Sequence, residues 1–167
     1  FVLSRELLVT IRYAQLHAFE TVAEKRSRHD GRSSSVETFA ALVDGMLELS
    51  ADLIEQIAAE LDGVSRAVFS KLGKQDHVTQ SNDELRRILI GVGTAGERLS
   101  RIRDSVLGLQ RIVPFVAGTE QDWIPPNIRA RLKTTQNDLT SLTEYETHLS
   151  NKVQFLLDAV LGFINTK

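Results

Sequence analysis

The chain has 167 residues, of which 42% are hydrophobic, and its 20 basic and 22 acidic residues leave a formal net charge of -2. This apolar content is enough for one buried core, while the small net charge excludes a general attraction for nucleic acid or anionic lipid. The absence of cysteine excludes disulfides and thiolate metal sites.

Two short strands are predicted within residues 1–13, where apolar and β-branched residues flank a polar Arg-Glu pair. A two-stranded hairpin is barely stable alone, so we expect the rest of its sheet upstream of Phe1. A short helix at 14–24 and a polar, mobile loop at 25–35 follow. The basic residues of this loop have no aromatic residues between them and are interpreted as a solvated cluster. They are Lys25, Arg26, Arg28 and Arg32.

The first long helix is predicted to begin near Val36, because Ser34 and Glu37 match a capping box at a helix start. Apolar residues then recur at helical spacing, and the helix is predicted to end at about Leu72. The apolar stripe contains Val36, Phe39, Val43, Met46, Leu53, Ile57, Leu61, Val64 and Val68.

A second long helix is predicted after another capping box, formed by Ser81 and Glu84, and is expected to end at about Ile112, before Pro114. Its stripe contains Leu85, Ile88, Val92, Leu99, Ile102, Val106, Leu109 and Val113.

The third long helix is predicted to run from Asn127 to the end of the chain, after Pro125 and Pro126 mark the connection. Its stripe contains Ile128, Leu132, Leu139, Leu142, Tyr145, Leu149, Val153, Leu156, Val160 and Phe163. Helices of about 30 to 40 residues are on the order of 50 Å long, which indicates a stalk or an extended bundle.

Residues 91–96 read G-V-G-T-A-G, the spacing of a dinucleotide-binding turn. The helical stripe passes unbroken through this segment, and no further βα units follow. We therefore interpret the small residues as a place where two helices approach closely. A nucleotide-binding enzyme remains an alternative, and it predicts a parallel sheet.

Catalytic motifs are missing from the sequence. The four histidines, His17, His29, His77 and His148, have no metal-ligand spacing, and neither a P-loop nor a G-x-S-x-G elbow is present. We expect no enzymatic activity and no tightly bound cofactor.

Acidic residues recur along the first long helix and could concentrate hydrated cations on one side of an assembly. An ordinary solvated face is the favoured interpretation, because charged outer faces are the default for such helices. They are Asp44, Glu48, Asp52, Glu55, Glu60 and Asp62.

The longest apolar stretch, residues 153–164, contains Gln154 and Asp158 and is shorter than the roughly 20 residues that cross a bilayer. We expect this chain by itself to be soluble.

Lys152 to Asn165 follow the pattern K-V-x-F-L-x-x-A-x-x-G-F-I-N. This pattern resembles the end of the long stalk helix in CorA-type divalent metal ion transporters. The strand-like residues 1–3 and 7–12 are similar to the last sheet strands of that family's cytoplasmic domain, and two antiparallel helices and the stalk follow in the same order.

The resemblance implies a homopentamer in which the stalk helix continues into the membrane as the pore-lining helix. Magnesium, cobalt or nickel would be the transported ion, with zinc as the alternative if the chain belongs to the related ZntB branch. The divalent cation, magnesium first, would be both cargo and regulatory ligand. The selectivity motif Gly-Met-Asn would lie beyond Lys167, and the chain would face the cytoplasm at the bacterial inner membrane.

The resemblance also implies candidate metal residues. Asp158 occupies a stalk position where some relatives have an aspartate, and five copies would form a ring for a hydrated cation. In the first half of the stalk, magnesium-sensing relatives have aspartates, whereas this chain has Thr134, Thr135 and Asn137 with only Asp138 nearby.

The predicted fold is mainly α, with an N-terminal β-hairpin remnant packed on an antiparallel bundle of three long helices that includes the stalk, as in a truncated α+β cytoplasmic domain. The predicted segments are 1–33, the end of the α/β subdomain; 34–126, a two-helix hairpin; and 127–167, the stalk helix. The competing class is a soluble helical interaction module whose stripes bind partner helices.

Overall fold

The computed structural model describes residues 1–13, 15–28, 34–69, 82–119 and 122–165. These residues are mainly helical, with one small antiparallel hairpin, as predicted. In chain order the elements are β1 (Val2–Leu3), β2 (Leu8–Val9), α1 (His17–Arg28), α2 (Ser35–Phe69), α3 (Asn82–Gly118) and α4 (Pro126–Asn165).

The chain divides into two compact units. The first unit contains Phe1–Ala51 and Val106–Ser141, and the second contains Asp52–Ser105 and Leu142–Lys167. Each unit has its own buried core, to which α2, α3 and α4 all contribute a segment.

The β-hairpin of the first unit pairs Val2 with Val9 and Leu3 with Leu8. Its turn is closed by Ser4, whose backbone N–H donates to the carbonyl of Leu7 at 2.8 Å. This turn is attached to the first turn of α2, since the Ser35 hydroxyl oxygen lies 2.5 Å from the Ser4 carbonyl oxygen and 3.0 Å from that of Arg5.

The start of α2 has the predicted capping box. Glu37 Oε2 accepts from the Ser34 backbone N–H at 2.8 Å, and Ser34 Oγ accepts from the Glu37 N–H at 3.2 Å. Two backbone donors of the helix start are thereby satisfied. The corresponding prediction for α3 depends on Ser81, which lies outside the described residues.

The short helix α1 differs in its bounds from the prediction at 14–24. It occupies His17–Arg28, so residues 25–28, expected in the loop, belong to its last turn. Lysine and arginine have good helix propensity, which favours continuation of the helix through these residues. Further along the first unit, α1 packs closely on α2, because a Cβ added at Gly45 would lie 3.1 Å from the Ala18 Cβ.

The end of α3 also differs from the prediction. The helix continues through Pro114 to Gly118 instead of ending near Ile112. A proline inside a helix costs about 3 kcal/mol, but Val116 and Ala117 are buried beyond Pro114, and burial of a valine contributes about 1.5 to 3 kcal/mol. Packing in the first unit's core therefore offsets much of the cost of the proline.

The second unit contains segments of three helices around one apolar core. Glu60 of α2 pairs with Arg98 of α3, while Val68 packs with Leu85 further along, so these two helices are antiparallel. The largest fully buried side chains of this unit are Ile54, Ile57, Leu61, Leu85, Leu99, Leu156 and Val92.

Candidate functional site

Asp158, the first candidate metal residue, lies on the exposed side of α4 in the second unit. Its Oδ1 accepts a hydrogen bond from Gln154 Nε2, one turn earlier, at 2.9 Å. Among the described residues no group of three or more His, Asp or Glu side chains is arranged to hold a metal ion. One exposed carboxylate supplies only one of the six or more oxygen ligands that Mg²⁺ and Ca²⁺ use.

Asp138, the second candidate, is an exposed residue of α4 in the first unit. The polar residues near it differ in their surroundings. Thr134 and Asn137 are exposed, whereas Thr135 is 3% exposed and its hydroxyl oxygen lies 2.9 Å from Asp44 Oδ1. Thr135 therefore serves the contact between α2 and α4 and is not available to an outside ligand.

The acidic row of α2 is partly neutralised inside the chain. In the first unit, Asp44 Oδ2 accepts from Arg131 Nε at 2.6 Å and lies 2.5 Å from Arg131 Nη2. Both guanidinium nitrogens thus contact the same carboxylate oxygen, and Thr135 contacts the other, so Asp44 joins α2 to α4 at the surface of the first core.

Two further members of the row are paired within the second unit. Arg98 Nη1 lies 2.8 Å from both carboxylate oxygens of Glu60, and Lys152 of α4 pairs with Asp62. Glu48, Asp52 and Glu55 are exposed. Three of the six acidic residues thus pair with basic residues of α3 or α4, and the other three lie at an exposed face.

Asp62 has a lowered pKa. The hydrogen bond from Lys152 and the positive charge of its ammonium group hold the carboxyl pKa below the ordinary value of 3.8. The carboxylate is therefore ionised over the whole physiological range.

Glu146 is a buried carboxylate in the core of the second unit, with 2% of its surface exposed. Its Oε1 accepts from the Ser150 hydroxyl at 2.7 Å. Its Oε2 has no hydrogen-bond partner among the described residues and lies 3.8 Å from Arg103 Nη1, too far for a hydrogen bond. Burial of a carboxylate with one oxygen lacking a hydrogen bond lowers the stability of the folded state, and the apolar packing around it must offset this.

Glu146 was missed in the sequence, and Tyr145 was placed in the core stripe instead. The structure corrects this, because Tyr145 is 41% exposed and stacks on His148. From Leu142, steps of three and of four residues both fit a helix, and hydrophobicity favoured the tyrosine. The buried residues Leu149, Val153, Leu156 and Val160 are separated by alternating steps of four and three residues. Extending this alternation back from Leu149 predicts a buried residue at Glu146 instead of Tyr145.

The G-x-G-x-x-G segment lies in the middle of α3, so the turn after a strand that dinucleotide binding requires is not formed. Gly91 and Gly93 face open space, whereas a Cβ added at Gly96 would lie 3.2 Å from Val153 Cγ1. Close helix approach is confirmed at Gly96 and is wrong for the other two glycines.

Two of the four histidines can be placed. His17 Nδ1 lies 3.7 Å from Glu20 Oε2, and His148 stacks on Tyr145 with ring centroids 6.5 Å apart. His29 and His77 lie outside the described residues.

Large apolar residues are exposed on the α4 segment of the second unit. Phe155 is 58% exposed and Leu161 is 45% exposed, although Phe155 also stacks on Phe69 with ring centroids 5.7 Å apart. Across the described part of the chain, none of the helices combines the length and the apolar character that a membrane span requires.

The family model described as CorA-like Mg2+ transporter protein matches residues 1–167, the whole chain. Among curated proteins, the chain is similar to the magnesium transport protein CorA of Haemophilus influenzae (strain ATCC 51907), with 30% identity over 159 residues. It is also similar to proteins of the same name from Mannheimia succiniciproducens and Escherichia coli K12, each 27% identical over 161 residues.

These alignments cover 95% of this chain and 47% of each of the three relatives. The chain therefore spans about half the length of the curated relatives that it matches.

Proposed function

The chain belongs to the CorA-like Mg2+ transporter family, and from this membership we propose that it is the cytoplasmic regulatory and structural part of a divalent metal ion transporter. The observation that carries the proposal is the match of the family over all of residues 1–167. Magnesium is the proposed cargo, because the three similar proteins are named as magnesium transport proteins. Cobalt and nickel are proposed as further cargo. The proposed role is in transport, with no catalytic step.

The proposed assembly is a homopentamer at the cytoplasmic side of the bacterial inner membrane. In this assembly α4 is the stalk helix, and membrane helices elsewhere in the complete gene product form the pore. Support comes from the exposed apolar side chains of Phe155 and Leu161, because exposed apolar residues clustered on one helix often mark a protein contact. Self-association would remove that surface from water.

Asp158 is the proposed regulatory residue. One exposed carboxylate binds a divalent cation weakly, but five copies around a symmetry axis would supply a ring of oxygen ligands. A hydrated Mg2+ in this ring would be held partly through its own water molecules. Asp138 is a weaker candidate for the same kind of ring in the first unit.

Gating would follow from a difference in ion affinity between two arrangements of the subunits. If the ring closes around the cation only in the shut arrangement, cytoplasmic Mg2+ stabilises the shut pore and its loss allows the subunits to move. The free energy available for gating is limited by that difference in affinity.

Two alternatives remain as separate proposals. A zinc transporter of the ZntB branch would use the same fold with different cargo. A soluble helical interaction module would use the exposed residues of α4 to bind partner helices, and it predicts no ion flux.

Ion flux by the complete gene product in liposomes distinguishes these functions. Uptake of Mg2+, Co2+, Ni2+ and Zn2+ is measured separately, with and without a proton gradient. We expect saturable magnesium uptake that cobalt and nickel compete for. Zinc uptake coupled to protons would assign the ZntB branch, and no uptake of any ion by a folded protein would favour the interaction module.

A further inference from the structure

Glu146 is a buried carboxylate that the proposed transport mechanism does not use. It belongs to the α4 segment of the second unit and lies between Leu142 and Leu149 on the buried face of that helix. Its Oε1 accepts from the hydroxyl of Ser150, one turn further along α4, at 2.7 Å. This hydrogen bond holds the carboxylate against its own helix and inside the core.

The other carboxylate oxygen of Glu146 is not satisfied. Oε2 has no hydrogen-bond partner among the described residues, and Nη1 of Arg103 on α3 lies 3.8 Å away, beyond hydrogen-bond distance. The glutamate side chain is only 3% exposed, so a partner from outside the chain has little access to this oxygen. Burial of a carboxylate that is only partly paired therefore destabilises the contact between α3 and α4 at this place.

The following turns of α4 are held more firmly. Val153 and Leu156 are buried in the core of the unit, and a Cβ added at Gly96 of α3 would lie 3.2 Å from Val153 Cγ1. Beside them, the ion pair of Lys152 with Asp62 joins α4 to α2. Close packing and an ion pair thus both act on α4 immediately after the stretch that contains Glu146.

The α4 segment of the second unit therefore has two stretches of unequal stability. Residues 142–151 have the partly paired carboxylate at the centre of their buried face, whereas every buried side chain of residues 152–160 is apolar. Proteins open locally where the packing is weakest, at a free energy below that of global unfolding. Separation of the first stretch from α3 returns the carboxylate to water, and this offsets part of the cost of opening.

We propose that residues 142–151 are a release point, at which α4 separates from α3 while the rest of the second unit stays folded. The Glu146 carboxylate promotes this opening, because it destabilises the closed arrangement and is hydrated in the open one. Use of the release point in gating rests on the proposed function, in which the subunits move when Mg2+ is lost.

Hydrogen exchange of backbone amides, followed by mass spectrometry on the complete gene product, tests the release point. After correction for intrinsic exchange rates, we expect residues 142–151 to be about tenfold less protected than residues 152–160, a difference of about 1.4 kcal/mol. Glu146→Leu should slow exchange of the first stretch about tenfold, because no buried charge is then released by opening. Glu146→Gln, a neutral side chain of similar size, should slow it about threefold.

The matched control is Glu144→Leu, which changes an exposed residue of the same stretch and should leave its exchange unchanged. Equal protection of the two stretches in the wild type would overturn the proposal, since the carboxylate would then be satisfied in the folded state. Unchanged exchange of residues 142–151 in both Glu146 variants would also overturn it, because the opening would then not release the carboxylate.

Mg2+ flux through the complete gene product in liposomes tests the use of the release point in gating. Glu146→Leu is expected to reduce about threefold the rise in flux that follows removal of Mg2+ from the side where this chain lies. An unchanged rise would contradict a role in gating. No Mg2+ flux at all, with the difference in exchange present, would contradict the proposed function and leave the release point supported.

Discussion

Arg103 and Glu146 make a single long contact in the second unit, 3.8 Å from the guanidinium Nη1 to the carboxylate Oε2. The arginine side chain is half exposed, while that of the glutamate is 3% exposed. Desolvating a carboxylate costs several kcal/mol, and a half-solvated partner beyond hydrogen-bond distance repays only part of that cost. Glu146 is therefore a weak point of the second core.

Replacing this carboxylate should stabilise the protein. Glu146→Leu is expected to raise the free energy of unfolding by about 1 to 3 kcal/mol, because leucine continues the apolar stripe and no charge is buried. The matched control Glu144→Leu changes an exposed residue of the same helix and should have little effect. Urea unfolding followed by circular dichroism measures both, and a less stable E146L would mean that the carboxylate has a favourable partner.

The Asp62–Lys152 pair predicts a pH dependence of stability. The folded pKa of Asp62 lies below the ordinary value of 3.8, so its ionised form favours the folded state. The contribution is fully present above that value and is lost as the pH falls through the lowered pKa. We expect Asp62→Asn to be less stable than wild type at neutral pH, with the difference shrinking well below pH 3.8.

The control for this pair is Asp52→Asn, which changes an exposed carboxylate of the same helix. Its difference in melting temperature from the wild type should be smaller at neutral pH. If the difference in melting temperature between D62N and the wild type is the same at neutral pH and well below pH 3.8, the ion pair is not its cause.

The glycines of α3 should respond differently to alanine. Gly93→Ala is expected to raise the free energy of unfolding by about 0.5 to 1 kcal/mol, because the position is open and alanine restricts the unfolded chain. Gly96→Ala must place its Cβ 3.2 Å from Val153 Cγ1, so its gain should be smaller or reversed. Thermal unfolding of the two variants measures the change in the free energy of unfolding. An equal increase in Gly93→Ala and Gly96→Ala would contradict close helix approach at Gly96.

Asp158 provides a test of the proposed regulatory ring. In the complete gene product, Mg2+ should protect α4 from limited proteolysis, and Asp158→Asn should require about fivefold more Mg2+ for the same protection, a loss of about 1 kcal/mol. Glu144→Gln removes an exposed charge elsewhere on α4 and should behave as the wild type. Equal magnesium dependence in all three proteins would rule out a role for this carboxylate.

Local patterns in the sequence were sufficient to place the hairpin, the three long helices and most core residues. The Ser34–Glu37 capping box and the apolar stripes are local features, and the structure has the capping box and most of the stripe residues where they were predicted, with Tyr145 as an exception. The end of α3 is later than predicted because Val116 and Ala117, which follow Pro114, pack against other parts of the chain. Local propensity cannot include that contribution.

Less of the candidate site than of the fold could be predicted from the sequence. The sequence could not distinguish Asp44, which is held by Arg131, from the exposed Asp52, since the arginine lies 87 residues away along the chain. The role proposed for Asp158 depends on copies of the chain beside it, and neither sequence periodicity nor the fold of one chain contains that arrangement.

We propose that this chain regulates a magnesium pore. Its most direct test is Mg2+ flux through the complete gene product in liposomes, measured with and without Mg2+ on the side where this chain lies. We expect rapid flux when that side is free of Mg2+ and slower flux once Mg2+ is added there. Flux that is the same in both conditions would contradict regulation by this chain, even if the protein transports magnesium.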